Sequence, residues 1–164
     1  MSVKNLKLDQ ANIKNQTKPY LIMEPYAKID QTKFPIVTID FMPFDPTKAQ
    51  FQAYLDEMDT MYLKDGRRAI IFDASKTKYL PSELRIMQGT WLKLRKEQIK
   101  DKVVIMVFII PNVMVQMVFK GILLVEPLPA PYKLAKSMEE AMEIAKEPGQ
   151  THLELLVTKK CKYY

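Results

Sequence analysis

The chain reads as an α/β protein with a mixed, largely parallel sheet of four to six strands and about four helices. Three observations predict this. Short apolar, β-branched runs such as Arg68 to Phe72 and Val103 to Ile110 alternate with longer segments whose apolar residues recur at helical spacing. The 164 residues, 48% hydrophobic and 27% charged, suffice for one domain with a buried core. The first two strand-like runs are joined by the short turn Asp30-Gln31-Thr32-Lys33 and pair like a hairpin, which makes the sheet mixed.

Residues 1–18 are polar and lack an apolar period, so they read as a flexible N-terminal segment. The domain is expected over 19–158, followed by the basic tail KKCKYY at 159–164. Tyr20 to Ile29 is the first strand, interrupted by Pro25. Phe34 to Phe41 alternates as a second strand. Asp45-Pro46 opens a helix, because Asp accepts free amide bonds at an N-cap and Pro loses nothing at the first helical position. Phe51, Tyr54, Leu55, Met58, Met61 and Tyr62 form its apolar face, and Gly66 is its left-handed stop.

Arg68 to Phe72 is the third strand. Leu84, Met87, Trp91 and Leu94 place a helix over Ser82 to Lys100, with Gly89 inside it costing about 1 kcal/mol relative to Ala. Val103 to Phe119 carries no charge and approaches the length of a membrane span. Pro111-Asn112 and Gln116 interrupt it, so the expectation is a strand to Ile110, a turn, and a helix from Asn112 to Val125, with no transmembrane segment. Pro127, Pro129 and Pro131 follow in an extended loop, and Tyr132 to Ala135 is an edge strand. Ser137 and Glu140 form a capping box for a helix that runs to Lys146 and stops at Pro148-Gly149. Thr151 to Thr158 reads as one more strand.

Composition limits function. A net charge of +6, from 25 basic and 19 acidic residues, favours acidic partners. It is too small and dispersed to point to nucleic acid, and no RNA-binding aromatic motif or zinc finger is present. Cys161 and His152 are single, which leaves no intramolecular disulfide and no ordinary zinc site. The isolated glycines Gly66, Gly89, Gly121 and Gly149 build no phosphate-cradling loop. No catalytic residue, cofactor or metal is therefore expected. The polar N-terminus and the lone cysteine make the expected location cytoplasmic. A small carboxylate enzyme is one alternative, using Glu24, Asp40, Asp73 or Glu126, although carboxylates at such positions ordinarily cap or solvate turns.

Two regions stand out. The loop FDASKTKYLPSEL, Phe72 to Leu84, follows a buried strand. Asp73 is expected to fix the turn through its carboxylate, Ser75 and Thr77 to serve as turn hydroxyls, and Ser82 to help cap the next helix. The functional alternative is a phosphorylation switch at Ser82, where a helix N-terminus tolerates negative charge. In the helix from Asn112, only Asn112, Gln116 and Lys120 form a polar stripe; the rest is apolar. Three readings stay open: a central core helix, a contact with a second subunit or protein partner, or the wall of a pocket for an apolar small molecule or lipid. Met114, Met117, Val118, Phe119 and Ile122 are the candidates for the last two. Lys93, Lys96 and Lys100 share one basic face, either solvated or turned to an acidic partner or anionic membrane surface.

The order strand, strand, helix, strand ending in Asp-x-Ser, helix, strand, helix resembles the STAS domain of anti-anti-sigma factors. It is more similar still to the SpoIIAA-like group of small bacterial proteins. The marks are Phe72-Asp73-Ala74-Ser75, then Arg85, Trp91, Lys93 and Arg95, the apolar strand and helix from Val103, and the Pro-x-Pro loop before Glu140-Ala141. They cover about Tyr20 to Lys146. The resemblance implies a mixed sheet wound as repeated β-α units, in a protein that works by binding. Where anti-anti-sigma factors carry Asp-Ser-Ser-Gly, this chain has Pro81-Ser82-Glu83-Leu84 and keeps one serine. The expected function is a non-enzymatic interaction domain that forms a homodimer through the helix from Asn112.

Overall fold

The computed structural model describes residues 23–147, apart from Lys78 and Pro111. The expected flexible segment 1–18, the start of the first strand at Tyr20, the stop at Pro148-Gly149, the strand Thr151–Thr158 and the tail 159–164 lie outside the described residues. Five strands form one sheet: β1 (Ala27–Asp30), β2 (Ile36–Phe41), β3 (Arg68–Asp73), β4 (Val103–Ile109) and β5 (Tyr132–Ala135). Between and after them lie α1 (Lys48–Leu63), α2 (Ser82–Leu94), α3 (Lys96–Lys102), α4 (Val113–Val125) and α5 (138–147). β1 runs antiparallel to β2, and the other neighbours are parallel. The mixed α/β sheet expected from the sequence is the one observed.

Sheet order equals chain order, so every parallel crossover steps in the same direction. Right-handed crossovers that all step one way put their helices on one face. The core divides accordingly. Val37, Ile39, Ile70, Phe72, Met106 and Phe108 pack against α1, α2, α3 and α4. The alternate residues Ala69, Ile71, Ile105, Val107 and Ile109 pack against Ala141 and Ala145 of α5. On the helix-rich face Phe41, Phe72 and Phe108 stack across three strands, with ring centroids 6.5 and 4.7 Å apart and planes within 14° and 8°. Each such pair contributes about 0.5–1.5 kcal/mol beyond its burial.

α1 begins two residues later than Asp45-Pro46 suggests. Thr47 is its N-cap, and Thr47 and Gln50 satisfy each other's backbone N–H groups in a capping box. The helix ends at Leu63, with Lys64 extended, so Gly66 lies past the stop rather than at it. Its φ of +94° turns the chain where a Cβ would meet the Phe34 ring at 2.8 Å. Arg68, the one buried charged side chain among the described residues, reaches back from β3 to the end of α1. Its guanidinium donates to the carbonyls of Met61 (2.6 Å), Lys64 (2.6 Å) and Gly66 (2.9 Å). Lys102 adds bonds to Tyr62 O and Lys64 O at 2.8 and 3.2 Å. α1 has no basic residue in its own last turn, so β3 and α3 supply the cations that its carbonyl end attracts.

The single helix expected over Ser82 to Lys100 breaks at Arg95, which gives five helices rather than four. Arg95 leaves helical geometry (φ −103°, ψ 8°). Its side chain is fixed to Asp59 of α1 by two bonds, Nε to Oδ1 at 2.8 Å and Nη2 to Oδ2 at 2.7 Å. Trp91 Nε1 donates to the same carboxylate at 3.0 Å. The Arg95 bonds hold the Asp59 carboxyl below its ordinary value against the opposing cost of burial, and Trp91 adds to the effect.

Arg68→Met keeps most of the apolar stem and removes the donors. Its expected cost is about 3 kcal/mol, because Met61 O is left buried without a partner. Urea unfolding reads this as a lower midpoint at unchanged slope. Asp59→Asn is expected to cost about 1 kcal/mol at neutral pH, a modest figure because the pair is partly solvated. A depressed carboxyl stabilises above its unfolded value, near 3.8, and the gain is lost as pH falls through the lower folded value. The gap between wild type and Asp59→Asn in urea titrations should therefore be constant from neutral pH to about pH 5 and close progressively as pH falls below the unfolded value near 3.8.

Candidate functional site

α4 and the space beneath it form the candidate site. Asn112 starts the helix: its Oδ1 accepts from Met114 N–H at 2.8 Å. Gln116 Nε2 donates back to Ile110 O at 3.4 Å, so two of the three residues of the expected polar stripe serve the joint between β4 and α4. The helix is then rotated so that Val115 is buried and Val118, Phe119 and Ile122 pack against the core. Met114 and Met117 face outward with Val113 and Leu124, at 64%, 66%, 65% and 88% exposure. Of the stripe, only Lys120 lies fully in this outward face, between Met117 and Leu124. The five sequence candidates thus divide, two outward and three inward. Next to the helix the apolar surface continues to Tyr132 on β5, whose ring lies 5.7 Å from that of Phe119.

Beneath the inward face lie two adjoining cavities of about 100 and 80 Å³. Phe41, Tyr54, Phe119 and Ile122 wall both, together with Gln88 from α2. The larger adds Phe72, Phe108 and Trp91. Burial pushes the Tyr54 hydroxyl well above its ordinary value and keeps it neutral. Leaving 100 Å³ unfilled costs on the order of 2 kcal/mol. A separate groove of about 510 Å³ runs between α1 and α2 over Leu55, Ile86, Met87 and Leu94.

The loop after β3 joins this site from the other side. Asp73 Oδ1 accepts from Ser75 N–H at 2.9 Å, and Ala74 N–H bonds Ile109 O at 3.1 Å, which ties the turn to the end of β4. Ala74, Thr77 and Leu80 line the smaller cavity opposite Val115 and Val118. Ser75 and Ser82 are exposed and take no part in it. Ser82 does not cap α2: Pro81 holds the N-cap position, with no side-chain bond. Of the carboxylates named above, Asp40 and Asp73 are register partners on β2 and β3, whereas Glu126 pairs with Lys96 at 3.3 Å. Lys93 and Lys100 are exposed. Among the described residues no group of three or more metal-ligating side chains occurs, and no helix is long and apolar enough to cross a membrane.

Two contributors escape sequence reasoning. Gln88 carries no signal beyond its place three residues after Arg85. Gly121 does carry one, as a glycine inside a helix: a Cβ there would come within 2.7 Å of Arg85 Nη1, so it permits α2 and α4 to approach. No family model matches the chain, and no curated protein does.

Ser82→Ala is expected to change unfolding free energy by less than about 0.5 kcal/mol, since no cap bond is lost. A loss of more than about 1 kcal/mol in chemical denaturation contradicts that reading of the α2 start.

Proposed function

We propose that the chain is a non-enzymatic, SpoIIAA-like protein-interaction domain that self-associates through α4. One observation carries the proposal: the outward face of α4 is apolar where a monomer ordinarily places polar side chains. The winding of the sheet in chain order supports the family part of the reading, and the exposed methionines suit a surface that repacks on contact. The stripe is also self-complementary. A two-fold axis between Val118 and Phe119 sets Val113 against the partner's Leu124 and Met117 against the aliphatic stem of the partner's Lys120. Ser82, exposed at the start of α2, remains the candidate for phosphate in this reading.

The test is mass measurement in solution. Wild type is expected at twice 19.1 kDa by light scattering and native mass spectrometry. Met117→Glu should weaken association on the order of 100-fold while leaving the monomer folded, because the side chain touches solvent in the monomer. A wild-type chain that stays monomeric at about 1 mM overturns the proposal.

A further inference from the structure

The paired cavities under α4 combine an aromatic wall with unused polar groups. Phe41, Phe72 and Phe108 form a flat floor, and Phe119 closes over Phe108 with ring centroids 4.5 Å apart. Gln88 borders both compartments, and its amide has no hydrogen bond to any described residue. Tyr62, in the wall of the larger compartment, has a buried hydroxyl without a partner; so does Thr77, in the wall of the smaller. Unpaired buried polar atoms are costly, and a native structure that keeps two such hydroxyls around one apolar space, with the half-buried Gln88 between them, has reason to. Water is a poor occupant, since it needs two to four polar partners and the walls are nearly all carbon.

Size selects the ligand. An apolar cavity of about 150 Å³ takes one benzene ring, and drug-sized or lipid ligands require roughly 300 Å³ or more. Neither compartment alone reaches the size one ring needs, but the two adjoining spaces of about 100 and 80 Å³ together match one ring and a short substituent. We propose that this cavity binds a single-ring aromatic molecule bearing one hydrogen-bonding group, with the ring against Phe72, Phe108 and Phe119 and the polar group on Gln88. Ring-on-ring contact and one directed hydrogen bond supply the recognition. The site uses the inner face of α4 and does not depend on self-association through the outer face.

Phenol and toluene are the probes, titrated into the isotope-labelled full chain and followed by amide and methyl NMR shifts. Phenol is expected to saturate at one equivalent, with shifts centred on Phe72, Gln88, Phe108 and Phe119. Gln88→Leu should weaken phenol about tenfold and leave toluene unchanged or tighter. Ile122→Phe fills the space and should abolish both; Leu92→Phe provides the same readout should the first variant not fold. Shifts that fail to saturate, that centre on Met114, Met117 and Leu124, or that survive a folded filling variant overturn the proposal.

Discussion

The buried guanidinium of Arg68 fixes the point where the first parallel β-α-β unit closes, and the remaining units are laid on that one. A cation without a carboxylate partner is costly to bury. Here the compensation comes from backbone oxygen, in the carbonyls that the end of α1 leaves unpaired. Both sides gain, since the helix end is negative and lacks its own basic residue. Because Arg68 is also the first residue of β3, the contact sets the end of α1 and the start of β3 together. Lys102, at the threshold of β4, bonds the same helix end, so three elements are aligned at the starting end of the parallel strands.

The strands follow one another across the sheet in one direction, and the site follows from this. α1, α2 and α4 lie in sequence over one face, each beside the one before. α4 is last and packs laterally on α2, where Gly121 accommodates Arg85. Its outward side has no neighbour among the described residues, and the apolar stripe is left uncovered. The aromatic row on the sheet is wide and rigid, and α4 bridges it without filling the space below. The opposite face is treated differently. α5 reaches it with alanines and covers β3, β4 and β5, while Thr38 and Asp40 of β2 remain partly open.

Much of this was legible in the residues. Val103 to Ile110 is β-branched and uncharged, and the apolar spacing from Phe51 to Tyr62 matches a buried helix face residue for residue. The Asp73 turn follows from the reach of a short carboxylate. Long-range chemistry was not legible. The break at Arg95 depends on Asp59, 36 residues earlier, and no local pattern shows it. The start of α1 was missed because Asp45-Pro46 imitates a cap while Thr47 and Gln50 form the real one. The orientation of α4 was hidden for another reason: a helix apolar nearly all round has no periodic signal to say which side faces in. Asn112 and Gln116 looked like a solvent face, yet their side chains bind the adjoining backbone.

A sheet whose spatial order repeats its chain order also constrains how the molecule comes into being. Each strand meets a partner that left the ribosome just before it, and none waits for a distant segment. Each parallel pairing nevertheless spans a whole helical crossover, and such non-local pairing is intrinsically slow to form. Growth of this kind resembles the stacking of a solenoid, in which every added turn is templated by the last. The newest turn is then always the least protected, and in this domain it is the one that carries α4 and β5.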